Sequence, residues 1–166
     1  MESWQRIDVA SPDEAREALQ TCCGSGRWVD RMLTRRPFGS QTALLSAAHE
    51  EWFALAREDW LEVFSHHPKI GDRESLRKRF VATRHLSERE QAGVDDASDA
   101  LLGALASGNR TYMEKFGYIF IVCATGKNAA EMLALLRSRL GNAPDVELQI
   151  AAAEQAKITE LRLRAL

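Results

Sequence analysis

The chain has 166 residues, 45% of them hydrophobic and 28% charged, with a formal net charge of −2. That length fits one domain with a real core, and the composition excludes a disordered, collagen-like or coiled-coil chain. The balance of 22 basic against 24 acidic residues advertises no nucleic-acid-binding surface, and no run reaches the ~18 apolar residues that a membrane span needs.

Both ends carry the same message. Met1-Glu2-Ser3-Trp4-Gln5-Arg6 lacks the charged-then-apolar pattern of a signal peptide, and Arg164-Ala165-Leu166 is not a Ser-Lys-Leu-type peroxisomal address. The expectation is a cytoplasmic protein. The three cysteines give neither a disulfide framework nor a zinc motif, because Cys22 and Cys23 are adjacent and Cys123 sits alone in an apolar run. They read as reduced thiols, with Cys123 packed in the core.

Taken in chain order, the periodicity is helical almost throughout. Ser11-Pro12-Asp13-Glu14 opens a helix: Ser11 caps, Pro12 fits the first helical position, and Glu14 completes a capping box. Gly24-Ser25-Gly26 ends it, Arg27 to Thr34 reads as a short second helix, and residues 36–40 as a turn. Gln41 to Phe64 carries Leu44, Leu45, Ala48, Trp52, Leu55 and Ala56 at helical spacing, with Arg57-Glu58-Asp59 expected to bend or split it.

Pro68 disfavours the α region for His67, so His66-His67-Pro68-Lys69-Ile70-Gly71-Asp72 reads as a helix end and loop. Charged residues follow to Leu86, and Ser87 starts a new helix. Asp95 to Ser107 and Asn109 to Phe116 read as two further helices. Tyr118 to Ala124 is apolar, β-branched and bounded by Gly117 and Gly126; periodicity alone leaves strand and helix open, and composition favours a buried extended segment. Asn128 caps a helix to Leu140, which Gly141-Asn142 stops. Pro144 opens the last helix, with Ile150, Ala153, Ile158, Leu161 and Ala165 as its apolar stripe. The pattern predicts an all-α fold, a compact single-domain bundle of about seven to nine helices spanning residues 1–166.

Several familiar motifs are missing. Gly117 to Asn128 is no phosphate loop, and His49-Glu50-Glu51-Trp52-Phe53 lacks the second histidine of a zinc-protease helix. There is no Gly-x-Ser-x-Gly elbow, and four His and three Cys are scattered without metal spacing. The sequence therefore predicts no cofactor and no metal.

Four stretches can carry chemistry. His67, at the mouth of a loop stiffened by Pro68, is placed for acid–base work near neutral pH; a loop histidine bonded to backbone is the plain alternative. Ser87-Glu88-Arg89-Glu90-Gln91 is a capping box, yet the polar Gln91 stands where a hydrophobic staple wants an apolar residue, and a helix N-terminus suits an anionic ligand. Phe120-Ile121-Val122-Cys123-Ala124, if extended, must find partners for its backbone groups, which a planar polar ligand could supply. Arg162 lies beside the last apolar stripe, where a guanidinium wants a carboxylate or similar planar acceptor, unless it is simply exposed.

These stretches, in this order, resemble the OHCU (2-oxo-4-hydroxy-4-carboxy-5-ureidoimidazoline) decarboxylase family. The resemblance runs through Arg36-Pro37-Phe38, Trp52 and Trp60, His67-Pro68-x-Ile70-Gly71 and Ser87-x-x-Glu90-Gln91-Ala92-Gly93. It continues in Asn109-x-x-Tyr112-x-x-Lys115-Phe116-Gly117 and Phe120 to Gly126, and closes with Arg139-Leu140-x-Asn142, Glu147 and Ile158-x-x-Leu161-Arg162-Leu163. It implies an all-helical, cofactor-free and metal-free enzyme that decarboxylates OHCU to (S)-allantoin in urate degradation, as a homodimer. It puts the family's catalytic histidine on His67. Its substrate-binding positions fall on Pro68, on Ser87, Glu88, Arg89, Glu90 and Gln91, on the backbone of Phe120, Ile121, Val122, Cys123 and Ala124, and on Arg162; Glu90 joins His67 in the catalytic set. No peroxisomal signal fits a bacterial, cytoplasmic member. Two rivals stand beside this reading: a non-catalytic ureide-binding helical module, and an amidohydrolase, which would want a metal or a nucleophile with its base.

Overall fold

The computed structural model describes residues 1–68 and 94–166. The described residues form eight α-helices and no strand: α1 Ser3–Val9, α2 Pro12–Cys22, α3 Gly26–Thr34, α4 Gln41–Phe53, α5 Arg57–Ser65, α6 Val94–Phe116, α7 Ala129–Leu140 and α8 Pro144–Arg164. The all-α expectation holds. The chain divides into two compact units, one of Met1–His67, Ile121–Cys123 and Gln149–Leu166, the other of Pro68–Phe120 and Ala124–Leu148.

In the first unit α1 packs on α2 and α4, α2 on α3, and α3 on α4. The helix ends follow local chemistry. Ser11 and Glu14 form the expected capping box on α2, and Ser25 and Ser40 accept from the first-turn amides of α3 and α4. Three tryptophans stitch the unit together. Trp28 Nε1 donates to Ala48 O at 3.1 Å, Trp60 Nε1 to Trp52 O at 3.0 Å, and Trp52 Nε1 to Ala152 O at 2.9 Å. A buried indole N–H needs an acceptor, so each ring fixes a helix pair as well as filling the core. Gly24 belongs to the same packing. A Cβ there would stand 2.8 Å from the His66 ring, so glycine is what lets the end of α5 come in against the end of α2.

In the second unit α6 packs along α7. Gly117, at φ +85°, ends α6 in the left-handed region that favours glycine, its N–H bonded to Met113 O at 2.8 Å. Tyr118 to Ala124 is neither helix nor strand, and Tyr118, Phe120, Ile121, Val122 and Cys123 are all buried. This agrees with the non-helical reading. Asn128 caps α7 through Glu131 N at 2.9 Å.

Four expectations need correction. Val94–Phe116 is one helix, not two breaking at Gly108. A Cβ on Gly108 would meet Leu136 Cδ2 at 2.3 Å, so this glycine permits close approach of α7 and does not stop α6. The break between α4 and α5 falls at residues 54–56, and Arg57, Glu58 and Asp59 form the first turn of α5. Helix α1 was not foreseen; Gln5 Oε1 accepts from Glu2 N at its start, and Ser3 and Ile7 are buried. The apolar stripe chosen for α8 is the wrong face: Leu161 is 42% exposed, while Ala151, Ala152, Gln155 and Leu163 are fully buried. Small and polar residues with partners displaced the larger aliphatics from the interior.

Candidate active site

His67 lies just past α5, where His66 forms the C-cap and His67 N bonds to Phe64 O at 3.3 Å. Its imidazole is half-buried. His67 Nε2 sits 2.5 Å from Oε1 of Gln155, a fully buried side chain on α8. The tryptophans explain this meeting. Trp60 ties α5 to the end of α4, and Trp52 ties the end of α4 to α8 one turn before Gln155. The imidazole and the amide are thereby held in register from outside their own contact.

Gln155 Nε2 donates to Thr159 Oγ1 at 3.2 Å, and the Thr159 hydroxyl bonds in turn to the thiol of Cys23. Cys23 is fully buried and burial pushes its thiol up to about 11, so it is neutral near pH 7 and unsuited to act as a nucleophile. Arg162 is exposed on the same helix, and its Nη1 donates to Cys22 O at 3.4 Å. That carbonyl belongs to the last turn of α2, which has acceptors without helical partners and the negative end of the dipole. Gln155, Thr159 and Arg162 are spaced i, i+4, i+7 and share one face of α8.

Of the positions singled out from sequence, His67, Ile121, Val122, Cys123 and Arg162 fall in the first unit, and Pro68, Phe120 and Ala124 in the second. Pro68 is exposed and Ala124 half-buried. Phe120 lies 4.5 Å beneath the Arg139 guanidinium and edge-on to Tyr112 at 5.2 Å, which fixes the start of the 120–124 segment. Ser87, Glu88, Arg89, Glu90 and Gln91 lie outside the described residues. Among the described residues no three His, Cys, Asp or Glu side chains gather as metal ligands would, and no helix is long and apolar enough to cross a membrane.

Sequence reasoning missed Gln155 and Thr159. Two polar residues one turn apart, in phase with Ala151, Ala152 and Leu163, were the available signal; the larger Ile150, Ile158 and Leu161 outweighed it.

The second unit shows where other singled-out residues go. Glu147, fully buried, accepts from Tyr112 Oη at 2.5 Å, Arg139 Nε at 2.7 Å and Asn142 Nδ2 at 3.0 Å, and pairs with Arg139 Nη2 at 2.6 Å. Burial, and then the bond to Glu147, push the Tyr112 phenol far up, so it stays a donor. Lys115 closes the C-terminal end of α7 by donating to Leu140 O and Asn142 O. These residues make a structural clamp.

A half-buried histidine held against a buried amide on an all-helical frame is an arrangement that acid–base enzymes can use. Comparison with known proteins narrows that class. The family model described as OHCU decarboxylase matches residues 8–164, and the chain belongs to that family of decarboxylases. It is 46% identical over 147 residues to the uric acid degradation bifunctional protein TTL of Arabidopsis thaliana, covering 87% of this chain but 44% of that one. It is 34% identical over 131 residues to the OHCU decarboxylase of Amia calva, covering 78% of this chain and 73% of that one. A crystal structure of OHCU decarboxylase in the presence of (S)-allantoin superposes with a TM-score of 0.70 at 39% identity, over 93% of this chain and 96% of that one. A crystal structure of (S)-allantoin synthase, 18% identical with a TM-score of 0.71 over 98% of this chain and 53% of that one, shares the fold.

Proposed function

We propose that this chain decarboxylates OHCU to (S)-allantoin without a cofactor, with His67 as its acid–base group. The observation that carries the proposal is the pairing of the half-buried His67 with the buried Gln155 amide, in a chain of this family. Decarboxylation needs a sink for the electron pair of the breaking C–C bond. In OHCU the ring C=N beside the carboxylated carbon can take it, so the protein has only to orient the carboxylate, stabilise developing charge and deliver a proton to one face. His67 is the group for that delivery, and protonation from one side gives the S product.

In the same proposal Glu90 accepts from ureido or ring N–H groups, and Ser87, Glu88, Arg89 and Gln91 complete that end of the substrate. Backbone groups of Phe120, Ile121, Val122, Cys123 and Ala124 hold the ring, Pro68 stiffens the loop beside it, and Arg162 supports the site through the end of α2. The family match runs from residue 8 to residue 164, which supports a single OHCU decarboxylase-like domain. A homodimer in the bacterial cytoplasm, with no nucleic-acid or membrane partner, completes the picture.

The test is an assay on fresh substrate. OHCU is generated in the cuvette from urate by its upstream enzymes, and its loss is followed by ultraviolet absorbance and circular dichroism against spontaneous decay. The expected result is fast decay that leaves the lasting dichroism of (S)-allantoin. Background-rate decay to racemic product by folded protein would remove the catalytic reading in favour of a ureide-binding module.

A further inference from the structure

We propose that Gln155 is a positioning residue for His67: its side-chain carbonyl holds the proton of Nε2 and leaves Nδ1 as the nitrogen that gains and loses the working proton. The inference rests on His67 being the acid–base group, and deepens that reading.

Three observations carry it. His67 Nε2 and Gln155 Oε1 are in hydrogen-bond contact at 2.5 Å. Gln155 is fully buried, so its amide has no water to turn towards. Its orientation is also set from behind. Its NH2 group donates to Thr159 Oγ1, one turn further along α8, at 3.2 Å. With the NH2 turned to Thr159, the carbonyl must face the imidazole, and a carbonyl only accepts. Nε2 therefore keeps its hydrogen in both protonation states. The partner of one ring nitrogen decides which nitrogen titrates. Among the described residues, Arg162 from α8, Cys22 and Cys23 from α2, and His66 beside His67 are titratable or charged groups near this hydrogen-bonded relay.

The experiment is nitrogen-15 NMR of the whole protein with labelled histidine, the His67 signals assigned by their loss in His67→Asn, combined with pH–rate profiles. Neutral His67 is expected to carry its proton on Nε2. Gln155→Glu should place a carboxylate against Nε2–H and raise the His67 pKa by about one unit or more, with the acid limb of kcat/KM moving alike. Gln155→Met, similar in size, should mix the tautomers and lower kcat about 10–100-fold, while KM moves less than about threefold. A wild-type proton on Nδ1, or Gln155→Met with tautomer and kcat unchanged, would overturn the proposal. If Gln155→Met does not fold, the wild-type tautomer decides alone. Undiminished turnover in His67→Asn would instead overturn the acid–base reading of His67, and with it the mechanistic meaning of Gln155.

Discussion

Helix α8 carries two polar clusters of opposite character. Near its start Glu147 is fully buried and meets Tyr112, Arg139 and Asn142, with its negative charge answered by the guanidinium. Two turns on, Gln155 is as deeply buried, but it is neutral and leads through a single acceptor to a half-buried imidazole. The first cluster spends its charge inside the fold. Removing either member of the Glu147–Arg139 pair would strand the other, and an unpaired buried charge is expensive. The Gln155 amide brings no charge of its own to the imidazole it touches. Burial of a polar side chain is common to both clusters; what separates them is that one closes on a buried ion pair and the other leads to a half-buried imidazole.

The largest effect that would break this contrast is on stability. Glu147→Ala strands Arg139 and should cost about 3–5 kcal/mol in chemical denaturation. A loss under about 1 kcal/mol would place Glu147 among the dispensable groups. His67→Asn should do the reverse. Its kcat/KM should fall about 10²–10⁴-fold, while unfolding free energy shifts by about 1 kcal/mol or less; equal damage to folding and turnover would erase the distinction. The smallest expected effect sharpens the picture of the second unit. Gly108→Ala forces a methyl against Leu136 and should destabilise by about 1–3 kcal/mol, measured by thermal unfolding. On an open helix surface the same change would stabilise by about 1 kcal/mol.

Much of the architecture was legible locally. Ser11, Ser25, Ser40 and Asn128 all accept from first-turn amides, and Gly117 and Gly141 follow the ends of α6 and α7. Such signals are read within a few residues, so they need no knowledge of the fold. Gly108 misled for the same reason. Its local meaning is a helix break, while its actual role is to admit Leu136 from another helix. The site divides likewise. His67 stands out because Pro68 follows it. Gln155 and Thr159 do not stand out, because their value lies in what they touch across the chain.

The sequence by itself determined the helical class, most helix ends, the family and the histidine at the end of α5. These depend on periodicity, caps and motif order, which are local or linear properties of the chain. Tertiary structure decided which face of α8 turns inward, and that Trp52 and Trp60 bring His67 to Gln155. It also decided that Glu147 belongs to a clamp with Tyr112, Arg139 and Asn142. A buried polar side chain is stable only where its partners converge, and for Gln155 that partner is 88 residues away along the chain.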